Sequence, residues 1–131
     1  MGLEETAREL QKQEESHALK FLRKMRGVRS EYTEDSIRRQ WDRIKAYAES
    51  PDGGTEAGKE TLCRMMADAW KMRQLREFSG EILTAAEMAE KQRKGGGEEW
   101  ARLSLPLIRH RLEYIDTEHR KMQKYQLELE E

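Results

Sequence analysis

"TEAGKETLCRMMADAWKMRQLREFSGEILTAAEMAEKQRKGGG" runs from Thr55 to Gly97, and its reading decides the fold. Leu62, Met65, Met66, Ala69, Met72, Leu75, Ile82, Leu83, Ala86 and Ala89 recur at the spacing that lines one face of an α-helix. The Thr55 hydroxyl suits a helix start, where it can accept from an orphan backbone N–H, and the three glycines read as a stop and hinge. Taken whole, the pattern predicts a helix of about 38 residues, about 55 Å at 1.5 Å per residue, with a bend at Ser79-Gly80. Met65 and Met66 are adjacent, so they cannot both face the same seam.

Working upstream, Pro51, Gly53 and Gly54 in "SPDGGT" are turn formers that end a preceding helix. That helix spans roughly 34–49, with Thr33 as N-cap, Glu34 and Asp35 in the first turn, and a stripe of Ile37, Trp41, Ile44 and Ala48 that places Trp41 in the core. Leu3, Ala7, Leu10, Ala18, Phe21, Leu22 and Met25 predict a first helix from about 3 to 26, stopped by Gly27. Downstream, "EEWARLSLPLIRHRL" is helical in pattern but holds Pro106, which either kinks the fourth helix or sits in the first turn of one restarted near Ser104. Beyond it, Ile108, Leu112, Ile115, His119, Met122, Gln126 and Leu129 alternate four and three residues apart, a coiled-coil seam available to a partner.

Composition agrees with helices. Of 131 residues, 39% are charged and only two are Pro, and the 36% hydrophobic content suffices for one bundle core. The expected fold is all-α: one domain over 1–131, an antiparallel up-down bundle of about four helices with a long, bent third and a coiled-coil-like last helix. Cys63 has no second cysteine to pair with, which predicts a reducing, intracellular, cytoplasmic setting. No apolar run is long enough for a membrane span and no secretory signal opens the chain, so a soluble protein is expected. "MGLEET" fits the loose myristoylation pattern, but Glu4 and Glu5 oppose an anionic membrane, and a small residue after the initiator Met is the simpler reading.

Charge is segregated along the chain, with basic blocks at 20–45 and 91–112 between three acidic stretches. In an up-down bundle both basic blocks fall at one end. Arg23, Lys24, Arg26, Arg29, Arg38, Arg39, Arg43, Arg93, Lys94, Arg102 and Arg109 are then the candidate contacts to nucleic acid or an acidic partner. Glu34, Arg38 and Asp42, and Asp35, Arg39 and Arg43, also form i,i+4 ladders that stabilise a solvated helix without any ligand.

Catalytic signatures are weak. Glu14-x-x-His17 and Asp116-x-x-His119 approach the Glu-x-x-His pairs of bundles that hold two metal ions. The inner stripes of the second and third helices offer no carboxylate to complete such a site, so no metal and no cofactor is expected. "KGGGEEW" lacks the Lys and hydroxyl of a phosphate loop, and no strand precedes it. The Met-rich "LCRMMADAWKM" reads as core first and as an adaptable partner groove second.

"TEDSIRRQWDRIKAY", "MMADAWKMRQLREF" and "WARLSLPLIRHRLEYID", over about residues 33–116, resemble the small helical subunits of CRISPR effector complexes. That resemblance implies a compact bundle lining a guide–target duplex with basic side chains. The helical core domains of archaeal replication scaffold subunits are similar too. The resulting expectation is a non-enzymatic interaction or scaffold subunit of a larger assembly, joined to protein subunits or to itself. The alternative is a small subunit that touches nucleic-acid backbone. The seam expected to meet the protein partner is Ile108, Leu112, Ile115, His119, Met122 and Leu129.

Overall fold

A computed structural model of the chain contains α1 (Leu3–Glu31), α2 (Glu34–Glu49), α3 (Glu56–Gln92) and α4 (Gly96–Leu129), with a 3-10 turn, Pro51–Gly54, between α2 and α3. The structure describes residues 2–92 and 96–129, and among these all side chains except those of 7, 8, 10–16 and 125–129. Among the described residues there is no strand, and the fold is an all-α helical bundle.

Local chemistry sets most boundaries. The Thr33 hydroxyl accepts from the Ser36 N–H at 3.1 Å and opens α2. Thr55 does the same for α3, accepting from the Gly58 N–H at 2.9 Å while donating to the Asp52 carbonyl at 2.7 Å. α3 passes Ser79-Gly80 as one helix of 37 residues. Ser79 is fully buried there, and its hydroxyl donates to the Arg76 carbonyl at 2.8 Å, which removes the cost of an unpaired polar atom.

One expected boundary is corrected, and one of the two alternatives at Pro106 is removed. Gly27 does not stop α1, which continues to Glu31. A glycine ends a helix by turning left-handed, and Gly27 stays in the right-handed helix with open space where a side chain would be. The chain leaves the helix at Tyr32, whose carbonyl is held by Arg76 Nη1 at 3.0 Å. Nor does a helix restart near Ser104: α4 begins at Gly96 and carries Pro106 in its interior. Pro106 is exposed, so its ring projects from the outer surface of α4 and not into the core.

α3 and α4 form a long antiparallel hairpin. Cys63 Sγ donates to the Met122 carbonyl at 3.0 Å, Asp68 meets His119 at 2.7 Å, Lys71 meets Asp116 at 3.0 Å, and the Arg111 guanidinium lies 5.9 Å over the Phe78 ring. α1 packs along the second half of α3 and the first half of α4, where Ala18, Leu22 and Met25 bury against Phe78, Ile82, Leu83, Ala86, Ala101 and Ile108. α2 packs along the first half of α3, with Gln40 Nε2 donating to the Met65 carbonyl at 3.3 Å. Going back along α3 from its C-terminus, the neighbours are thus α1, then Tyr32, then α2.

This corrects the up-down order expected between the first two helices. α2–α3 and α3–α4 are antiparallel as anticipated, but α1 and α2 follow one another along α3 and both run against it. The cause is length. α3, at about 55 Å, accepts the Leu22/Met25 stripe and the Ile37/Ile44 stripe in series. Burial of Met25, Ile82 or Ile108 stabilises by roughly 1.5–3 kcal/mol each, and Ala18, Ala86 and Ala101 let the helices approach closely.

Candidate functional site

The end-to-end placement leaves a gap. Near the Gly-rich turn α1 lies against both α3 and α4, whereas beside the first half of α3 the helix α2 packs on α3 without closing against α4. A groove of about 400 Å³ opens there, with Trp41 of α2 on one wall, Met122 of α4 on the other, and Cys63, Met66, Ala67, Ala69, Trp70 and Arg73 of α3 between them. Ala67 and Ala69 are buried and small, so they leave depth. Met66 is 48% exposed, and Arg73 supplies the one cation of the lining, with Glu77 Oε1 4.0 Å from its guanidinium.

Trp41 is therefore not a core residue as expected: it is 43% exposed on the wall of this groove. The stripe read from the sequence is buried at Ile37 and Ile44, but the α4 surface that would have covered Trp41 stands across the gap. Met65 is half-buried and Met66 exposed, in keeping with their adjacency.

The predicted seam of α4 is occupied from within. Ile108 and Ile115 are 4% and 1% exposed, Leu112 packs on the same core, His119 bonds Asp68, and Met122 lines the groove. From Ile108 to His119 the seam turns to α3 of its own chain, and among its described residues only Met122 stands on the open groove. The Leu129 side chain lies outside the described residues. What α4 does leave open is its other side, where Leu103, Leu107 and Tyr114 are 65%, 77% and 52% exposed. Their spacing of four and seven residues was the signal for this face.

The basic residues do not gather at one end as the up-down order required. Arg23, Lys24, Arg26, Arg29 and Arg109 are exposed, and Arg102 half-buried, in the half near the Gly-rich turn. Arg38, Arg39 and Arg43 are exposed on α2, in the other half, roughly 14 Å (Arg29 to Arg38) to 30 Å (Arg23 to Arg43) along the serial helices by helix rise. Arg93 and Lys94 lie outside the described residues. In the first group, Arg26 lines a recess together with Glu87, Glu90 and Glu98. On α2, Arg38 stands 4.0 Å from Asp35, both well exposed, a pair worth a fraction of a kcal/mol.

Of the two Glu/Asp-x-x-His pairs, the Glu14 side chain lies outside the described residues, and the other three side chains are apart or engaged elsewhere. His17 is exposed, Asp116 pairs with Lys71 and His119 with Asp68. Among the described residues no three His, Cys, Asp or Glu side chains are placed so that they could hold a metal ion together. No helix among them is long and apolar enough to cross a membrane. No protein family, curated protein or solved structure with which the chain was compared matches it.

Proposed function

We propose that the chain is a non-enzymatic helical interaction subunit, and that the groove between α2 and α4 is its working surface, taking an apolar helix face from a protein partner. The observation that carries this reading is the open groove itself, with Trp41 and Met66 exposed on it. A monomeric bundle gains by closing such a gap, and Trp and Met are the residues that anchor helices in grooves: Trp by area, Met by adaptable shape. Arg73 favours a partner with a carboxylate at one end of its apolar stripe.

The test uses Cys63, the only cysteine, as a built-in reporter on the groove wall. Amphipathic helical peptides of acidic, neutral and basic character are titrated against the protein, and alkylation of Cys63 is timed. At least one peptide, expected to be acidic, slows alkylation severalfold, and Trp41→Ala with Met66→Ala abolishes that protection while helical content is kept. Alkylation unchanged by every peptide up to about 1 mM, the weak limit of useful affinity, sinks the reading.

Nucleic-acid backbone is the alternative partner, favoured by the exposure of Arg38, Arg39 and Arg43 on one short helix. Phosphate contacts weaken steeply with salt, so binding to single- and double-stranded DNA and RNA at two salt concentrations separates the two. Affinity undetectable at low salt, or intact after all three become Glu, removes this alternative.

A further inference from the structure

The outward side of α4 carries a second seam, distinct from the one used against α3. Trp100, Leu103, Leu107, His110, Tyr114 and Thr117 alternate three and four residues apart over about 26 Å. Leu107 is 77% exposed and Leu103 65%, Tyr114 and His110 are exposed, and Trp100, at the end of the stripe, is half-buried against the main core and leaves only its outer part to the stripe. None of these residues belongs to the groove between α2 and α4.

We infer that this stripe is a self-association surface, and that its occupant is the same stripe of a second copy, packed antiparallel about a two-fold axis. In an antiparallel helix pair the layers match each residue with one from the other half of the partner stripe. One register sets Leu103 against Tyr114 of the second copy, Leu107 against its His110, and Trp100 against its Thr117. Every exposed large apolar side chain of the stripe is then covered, twice over by symmetry.

Charge selects that register. The residues flanking the stripe on one side are Glu99, Pro106, Glu113 and Arg120, and Glu99, Glu113 and Arg120 are all exposed. With Leu103 facing Tyr114, Glu99 falls beside Arg120 of the second copy, an attraction made at both ends. Sliding the copies to oppose Leu103 and Leu107 instead brings Glu99 beside Glu113 of the second copy, a repulsion made at both ends. Opposite charges at flanking positions fix orientation and register in coiled coils by this means. The surface is five turns long on each copy, so the association is expected in the micromolar range.

Two measurements decide it. Sedimentation equilibrium should give a mass rising from one chain toward two with concentration, and Leu107→Glu should hold it at one chain with helical content unchanged. In a Cys63→Ser background, Leu103→Cys combined with Tyr114→Cys should give a covalent dimer under mild oxidation at least about tenfold faster than either substitution alone. The two positions in one chain are about 16 Å apart along α4, too far for an internal disulfide. A single-chain mass up to about 100 µM, far above a micromolar dissociation constant, overturns the inference, as does a double variant that cross-links no faster than the single ones. The second readout decides the matter even if Leu107→Glu perturbs the fold. Groove protection of Cys63 can succeed or fail independently of either result.

Discussion

Gly97 and Gly80 both sit inside helices, and a methyl group at each meets opposite surroundings. At Gly97 a Cβ would come 2.8 Å from the Ala86 carbonyl oxygen, because the first turn of α4 lies directly on α3. At Gly80 nothing lies within 4 Å. Gly97→Ala should therefore destabilise by about 1–3 kcal/mol through backbone displacement, while Gly80→Ala should stabilise by about 0.5–1 kcal/mol by lowering the entropy of the unfolded chain. Urea unfolding of the two variants measures both signs. A loss at Gly80 as large as at Gly97 would contradict the close helix contact. Of the "GGG" run, Gly95 lies outside the described residues while Gly96 and Gly97 open α4, and the packing role of Gly97 was not legible: whether a glycine is needed for its backbone or for its missing side chain depends on a neighbour distant in sequence. Trp41 was misread for a related reason. Helical spacing showed which side of α2 it occupies, while only the position of α4 shows that this side is open.

At the scale of the helices, the Thr33 cap carries the boundary that Gly27 was expected to make. Thr33 accepts from the Ser36 N–H and the Ser36 hydroxyl donates back to the Thr33 carbonyl at 2.9 Å, so two bonds fix the break between α1 and α2. Thr33→Ala is expected to cost about 1 kcal/mol and Gly27→Ala to cost nothing or to stabilise slightly, read from thermal unfolding followed by circular dichroism. Equal effects would show that Thr33 does not define the boundary. The α2 and α3 ends were legible because capping is local chemistry. The partner of each face was not. α4 has two apolar stripes, Ile108/Leu112/Ile115 and Leu103/Leu107/Tyr114, and a sequence period reports that a face is apolar without saying which neighbour covers it. The packing against α3 uses the first, and the candidate surface moved to the second.

For the whole molecule, α1 and α2 in series along a hairpin of about 55 Å make an elongated body. A compact chain of 131 residues has a radius of gyration of about 14 Å, whereas this arrangement calls for about 18 Å, measured by X-ray scattering at dilution. A value near the compact figure would require α1 to fold back beside α2. The serial arrangement also divides the holding forces unevenly. α1 has Ala18, Leu22 and Met25 sunk into the main core, while α2 buries only Ile37 and Ile44 and is joined to α1 by two residues. Segments with few buried apolar contacts open at a fraction of the global unfolding free energy. α2 is thus the helix expected to open first from the hairpin, with Ile37, Ile44 and the Gln40 bond to Met65 as its hold. The width of the cleft that α2 borders is then set by this local opening energy, so conditions that loosen α2 should widen the cleft at Trp41 before the main core gives way.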